Sequence, residues 1–208
     1  DAFIIPGLKF LMAFVALLLI NSQLGYMSRI NSPAIALIAA LTCSFLPINL
    51  IILIAALFVL LHLYALSIEC AIVGLAVFLI LFLLYFRFSP KDTVVIILTP
   101  LCFALNIPYV IPISMGLIGT PFSTVSVSCG VVVYYLISYV NGNATALNAM
   151  EEESVIQKFR FIIDGMLNNK AMMVAIIAFV VAIVIVYFIR RMSIDHSWTI
   201  AIVTGALV

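Results

Sequence analysis

The stretch from residue 33 to residue 86 constrains this chain more than any other part of it. Its 54 residues contain one acidic side chain, Glu69, and no lysine or arginine. A water-soluble domain is about one quarter charged, so such a stretch cannot form a water-facing surface. It also lacks the alternating pattern of a transmembrane barrel, and open strands cannot satisfy their backbone in lipid. It therefore predicts membrane-spanning α-helices.

Composition extends this prediction to the whole chain, which is 67% hydrophobic and 8% charged over 208 residues. We expect the lipid bilayer as its main partner. The net charge of +1 gives no indication of a nucleic-acid partner, and no cofactor is expected.

The chain starts at Asp1 and stops at Val208 inside an apolar run, so we interpret it as a fragment. Residues 3–20 lack a basic leader and a cleavage site, which indicates a true span.

About 20 apolar residues are needed to cross the hydrocarbon core. Five segments reach or approach that length: 3–24, 48–66, 70–86, 119–140 and 171–189. Shorter apolar pieces, bounded or interrupted by prolines, lie between them: 33–46, 93–105 and 107–118. The predicted fold class is an all-α polytopic membrane protein. It has about five full spans plus two short proline-broken segments that are re-entrant or form hairpins.

Basic residues give a predicted orientation, because positive charge favours the cytoplasmic side of a membrane. The predicted cytoplasmic residues are Arg29, Arg87, Lys91, Arg190 and Arg191. If all of these residues lie on one side, the chain must cross the membrane an even number of times between each of them and the next. Segments 33–46 and 93–118 should therefore each enter and leave the membrane on one side. Alternatively, residues 33–86 form two long, kinked spans, which gives the same even number of membrane crossings. Residues 141–170 are then extracytoplasmic, and the expected location is a bacterial plasma membrane.

The two short segments begin alike, with Ser32-Pro33 and Ser89-Pro90, 57 residues apart. At the same offset Thr42 matches Thr99 and Asn49 matches Asn106. These matches predict a tandem repeat, and chance similarity in an apolar chain is the alternative. The predicted organisation has five parts: a first span with its loop over 1–31, repeat unit one over 32–88, repeat unit two over 89–140, an extracytoplasmic helix over 141–170, and a last span with the start of a further segment over 171–208.

The one predicted water-exposed stretch carries an amphipathic helix. Its apolar residues recur at helical spacing: Val155, Ile156, Phe159, Ile162, Ile163, Met166 and Leu167. The polar face comprises Gln157, Lys158, Arg160 and Asp164. Glu151, Glu152 and Glu153 should open the helix, where acids suit the positive end of its dipole. The pattern predicts a helix at the membrane surface or over the outer mouth. Docking of a protein partner through 149–167 is the alternative.

Polar residues beside the prolines are the candidates for a transport pathway. Breaking a helix in a membrane frees backbone groups, which are tolerated only inside protein or facing a water-filled cavity. Half-helix ends also suit ions and charged substrates. The pathway candidates are Thr42, Asn49, Thr99, Asn106 and Ser114. Alternatively, these side chains satisfy kinked helices or pack one helix against another.

His62 and Glu69 are the candidates for a proton relay. They lie seven residues apart and would share a helical face if the helix continued. An imidazole and a carboxylate that close can pass protons. Alternatively, Glu69 caps the next span from a short outer turn and His62 lies near the interface. Four cysteines without a CxxC pair or a histidine cluster predict no metal site.

Missing motifs narrow the function. The sequence has no Walker phosphate loop, no G-x-S-x-G elbow and no HExxH pair, and no catalytic residue is assigned. An enzyme is therefore not favoured. The predicted function is a transporter or permease subunit with a pathway at the broken helices. One alternative is a non-transporting scaffold or partner subunit of a larger complex. The other is a membrane-embedded enzyme acting on lipid-linked substrates.

Overall fold

The computed structural model describes residues 3–150, 155–193 and 196–207. Within these residues the chain forms eleven helices: α1 Ile4–Gln23, α2 Pro33–Phe45, α3 Ile48–Leu66, α4 Ile68–Phe88, α5 Thr93–Ala104, α6 Val110–Ile118, α7 Ser123–Gly142, α8 Ala144–Ala149, α9 Val155–Leu167, α10 Lys170–Arg190 and α11 Ser197–Leu207. Five of them, α1, α3, α4, α7 and α10, have 19 to 21 residues and are apolar enough to cross a membrane. The all-α polytopic fold class is confirmed.

The helices are organised into two compact units. Unit 1 comprises residues 1–80 and 135–168, and unit 2 comprises residues 81–134 and 169–208. Helices α4 and α7 each contribute one part to each unit. These units are interleaved along the chain, whereas the predicted repeat units follow one another. The tandem repeat stays a prediction.

In unit 1, α1 and α2 form an antiparallel hairpin. Ser44 Oγ donates to the Pro6 carbonyl at 3.0 Å, and Lys9 Nζ donates to the Leu46 carbonyl at 3.1 Å. The end of α2 therefore lies beside the start of α1. A small buried core joins both helices to α3: Leu17, Ala36 and Phe58. Helix α2 thus runs from one end of α1 to the other. It differs from the predicted segment that enters and leaves on one side.

The loop that carries Arg29 lies at the same end of unit 1 as the end of α7. Tyr26 Oη donates to Asn141 Oδ1 at 3.3 Å, and the Met27 N–H donates to His62 Nδ1 at 3.1 Å. The structure therefore does not support placing Arg29 in the cytoplasm while residues 141–170 lie outside. The reason is the direction of α2, because this helix joins opposite ends of unit 1 and does not return to the end where it begins.

In unit 2, α5 and α6 form a short helical hairpin. The Ser89 and Ser126 hydroxyls hydrogen-bond at 2.6 Å, so the entry to α5 lies beside the start of α7. Helix α6 ends only a short link, 119–122, before α7 begins. The pair therefore starts and finishes near the same end. At 12 and 9 residues, its helices are about 18 and 14 Å long, well short of a bilayer core. Residues 93–118 therefore form a short helical hairpin, and their re-entrant course in a membrane stays a prediction.

Helix α9 presents three faces. One face is buried in unit 1, and its residues are spaced four apart: Lys158, Ile162 and Met166. Its exposed apolar residues include Ile156, Ile163 and Leu167, and its exposed polar residues are Gln157, Arg160 and Asp164. The predicted amphipathic character is present, but Lys158 lies on the buried face. Its long aliphatic stem can pack like an apolar side chain. The predicted start at Glu151, Glu152 and Glu153 lies outside the described residues.

Helix α9 is held against α7 by a close contact at Gly165. Tyr139 Oη donates to the Phe161 carbonyl at 3.0 Å, and its ring lies directly over Gly165. A methyl group at this position would overlap the tyrosine ring and hydroxyl. We therefore expect Gly165→Ala to lower the free energy of unfolding by about 1–3 kcal/mol, the usual cost of overpacking.

Gly142→Ala is the matched control, since a methyl group there meets no atom within 4 Å. Thermal unfolding in detergent, together with proteolysis of α9, measures both variants. Equal stability of the two variants would contradict the tight contact between α7 and α9.

Candidate functional site

The turn between α5 and α6 ends the first helix with a Schellman motif. Asn106 has a left-handed backbone, with φ of 60°. Its N–H donates to the Phe103 carbonyl at 3.0 Å, and the Ile107 N–H donates to the Cys102 carbonyl at 2.9 Å. Asparagine tolerates this conformation better than most residues, and Pro108 prevents the helix from continuing. The structure thus places Asn106 at the tip of the α5–α6 hairpin, with an exposed side chain.

Thr99 lies inside the hairpin and is fully buried. Its hydroxyl donates to the Val95 carbonyl at 2.7 Å, one turn earlier in α5. Its side chain rests on Gly130 of α7, where a methyl group would collide with it. Pro100, next in sequence, lies inside α5 and removes one helix hydrogen bond. Thr99 therefore packs α5 closely against α7 at Gly130.

Hydrogen bonds between hydroxyl groups hold the start of the α5–α6 hairpin in place. Tyr85 Oη hydrogen-bonds to Thr93 Oγ1 and donates to the Pro90 carbonyl at 2.8 Å. The Ser89–Ser126 pair lies in the same region, and both side chains are buried. Sequence reasoning did not select Tyr85, Thr93 or Ser126 as site residues. The available signal was the density of hydroxyls around Ser89-Pro90 and along the first half of α7.

The remaining pathway candidates lie near their predicted breaks. Thr42 is exposed on α2 and donates to the Ile38 carbonyl at 3.0 Å, the same bond that Thr99 makes in α5. Asn49 is partly buried in the first turn of α3, just after Pro47. Ser114 is partly buried in α6. Thr99, Asn106 and Ser114 therefore share the hairpin of unit 2, whereas Thr42 and Asn49 flank the α2–α3 break of unit 1.

His62 is the centre of a fully bonded polar network in unit 1. Because the Met27 N–H donates to its Nδ1, the proton of the neutral ring lies on Nε2 and is donated to Asn21 Oδ1 at 2.9 Å. Asn21 Nδ2 in turn donates to the Ile30 carbonyl at 2.9 Å. The network joins α1, α3 and the loop between α1 and α2. Both imidazole nitrogens are occupied in this arrangement.

Glu69 does not share a continuous helix with His62. Helix α3 ends at Leu66, and Ser67 Oγ accepts the Cys70 N–H at 3.1 Å as the N-cap of α4. Glu69 lies in the first turn of α4, where a carboxylate favours the helix dipole. The sequence had raised this short turn as the alternative to a continuous helix. The proton relay stays a prediction without a direct contact behind it.

The start of α4 brings a buried thiol near two charged side chains, Lys158 and Glu69. Both side chains interact electrostatically with Cys70, which is fully buried. In the described part of the chain, no three histidine, cysteine, aspartate or glutamate side chains cluster closely enough to hold a metal ion. The four cysteines are buried and free.

Comparison with known proteins finds no matching family model, no matching curated protein and no matching solved structure. The function is therefore inferred from the geometry of the chain itself.

The His62 network gives a stability prediction. His62→Leu leaves the partly buried Met27 N–H and the buried Asn21 Oδ1 without partners, and an unpaired buried group costs about 1–3 kcal/mol. We expect a clear drop in the thermal unfolding temperature in detergent. Tyr64→Leu is the control, because Tyr64 lies on the same helix but is 59% exposed. If both variants unfolded at the same temperature, the network would not hold unit 1 together.

Proposed function

We propose that the protein is a transporter or permease subunit whose pathway follows the re-entrant hairpin of α5 and α6. The observation that carries the proposal is the pair of short helices α5 and α6, which starts and finishes near the same end of unit 2. Membrane proteins tolerate a break at bilayer depth where it is buried in protein or lines an aqueous cavity. In transporters, such half-helices direct their end charges towards the solute.

The chemistry of the hairpin suits a polar solute or an ion. The Schellman turn satisfies the last carbonyls of α5, so the exposed amide of Asn106 is left to offer both a donor and an acceptor. Ser114 adds a hydroxyl on the returning helix. Thr99 positions α5 against α7 and contributes through packing. In unit 1, Thr42 and Asn49 place a hydroxyl and an amide near the second break.

The enzyme alternative has weaker support. His62 would have to be free to exchange protons, and its two nitrogens are engaged by Asn21 and Met27. No comparable geometric observation favours turnover of a lipid-linked substrate.

Thiol labelling tests the pathway. In a variant whose four native cysteines are replaced by alanine, single cysteines at the five pathway positions are exposed to a charged, membrane-impermeant thiosulfonate. We expect Asn106→Cys and Ser114→Cys to react at least about tenfold faster than the control, because only a hydrated thiol ionises readily. Leu79→Cys is the control, since Leu79 is 56% exposed on an apolar helix and faces lipid. Control-level rates at all five positions would refute the pathway.

We also propose an orientation. Arg87, Lys91, Arg190 and Arg191 lie on the cytoplasmic side, and residues 141–170 lie outside. Helices α6 and α10 run in parallel, since Tyr109 contacts Phe179 and Gly116 contacts Val186. This direction brings Arg190 to the end of unit 2 where the hairpin enters. Arg29 joins the outer side because of the Tyr26–Asn141 bond.

Labelling of intact cells tests this orientation. We expect Arg29→Cys and Asn168→Cys, each in the cysteine-free background, to react with an impermeant reagent added outside. Lys91→Cys should react only after permeabilisation, because the membrane shields the cytoplasmic loop. Protection of Arg29→Cys together with Lys91→Cys would restore the purely charge-based assignment.

A further inference from the structure

We propose that a cleft beside α9 binds the headgroup of a phospholipid that carries both a phosphate and a primary ammonium, as phosphatidylethanolamine does. The cleft belongs entirely to unit 1 and has a volume of about 440 Å³, within the size range of small-ligand sites. One wall is polar and comes from α9: Gln157, Arg160 and Asp164. The other is aromatic, from Tyr139 and Phe161. This site is independent of the transport pathway proposed above.

The wall of the cleft is preformed. Tyr139 donates to the Phe161 carbonyl at 3.0 Å, and the two rings pack with centroids 6.0 Å apart. Gly165 lets the tyrosine approach the backbone of α9 closely. These contacts hold the polar face of α9 at a set distance from α7. A headgroup that enters the cleft therefore meets groups that are already positioned.

The charges of the cleft select the ligand. Arg160 and Asp164 are one helical turn apart on α9 and both line the cleft. A guanidinium binds phosphate through two parallel hydrogen bonds, and the Gln157 amide can add a third donor. The Asp164 carboxylate repels a purely anionic headgroup but accepts hydrogen bonds from a primary ammonium. A quaternary ammonium, as in choline, has no N–H to donate, so the carboxylate favours ethanolamine.

The apolar face of α9 indicates that the headgroup belongs to a lipid. Around the helix, Arg160 lies next to an exposed apolar sector formed by Ile156 and Leu167, which are 79% and 60% exposed. Helix α9 leads within two residues into α10, a membrane span. An amphipathic helix at this level lies in the interface with its apolar side in the acyl region. Acyl chains of a lipid bound at Arg160 would cover this sector, whereas a soluble zwitterion would leave it exposed.

The test is native mass spectrometry of the delipidated full chain in detergent. The added probes are dioleoyl phosphatidylethanolamine, the phosphatidylcholine and phosphatidylglycerol with the same chains, and soluble glycerophosphoethanolamine. We expect wild type to retain the ethanolamine lipid at least about tenfold better than the other two lipids. Arg160→Ala and Arg160→Gln should each reduce this retention about tenfold, the scale of a charged hydrogen bond. Asp164→Asn should shift the preference towards phosphatidylglycerol.

Lys170→Ala is the matched control, because Lys170 is also an exposed cation but lies outside the cleft. It should bind like wild type. Equal retention of all three lipids by wild type would overturn the proposal, as would an equal loss in Lys170→Ala. Equal affinity for soluble glycerophosphoethanolamine would overturn the lipid assignment in favour of a free solute. A protein that co-purifies with wild type, is lost in Ile156→Ser and excludes the lipid would show instead that a partner covers α9.

Discussion

The fold depends on satisfying backbone hydrogen bonds wherever a helix breaks in an apolar environment. Lipid offers no donors or acceptors, so each free carbonyl at a break needs a partner within the protein. Unit 2 meets this demand locally: the turn at Asn106 bonds the last carbonyls of α5 through its own backbone. A self-contained turn of this kind lets the chain reverse at once. The result is a short helical hairpin, which is the geometry behind the proposed pathway.

Unit 1 meets the same demand through side chains from a neighbouring helix. At the break before Pro47, the Leu46 carbonyl accepts from Lys9 of α1, and the Ser44 hydroxyl donates to the Pro6 carbonyl of α1. The end of α2 is therefore tied to the start of α1. At the other end of unit 1, where α2 begins, His62, Asn21 and the Met27 N–H hold the loop between α1 and α2. Two proline breaks of similar appearance thus follow a hairpin with α1 in one unit and lie within a short helical hairpin in the other.

Helix α9 shows how three environments shape one short helix. One sector packs inside the protein, and the other two are exposed, one apolar and one polar, so Lys158 packs inside while Ile156 and Leu167 remain exposed. A two-faced pattern cannot distinguish an apolar residue that faces protein from one that faces lipid. This ambiguity is general in membrane proteins, because lipid and protein interior are similarly apolar. It also explains why the exposed apolar sector beside Arg160 becomes informative only once the cleft is known.

The sequence by itself determined the membrane class, the five spans to within a few residues, and the breaks at Pro47 and between α5 and α6. It could do so because span length, proline geometry and helical periodicity are local properties of the chain. Only the tertiary structure decided the direction of α2, the end of unit 1 on which Arg29 lies, and the partners of His62. Those features rest on hydrogen bonds between distant residues, such as Asn21 with His62, 41 apart, and Tyr26 with Asn141, 115 apart. Local patterns and a charge count carry no information about such pairings.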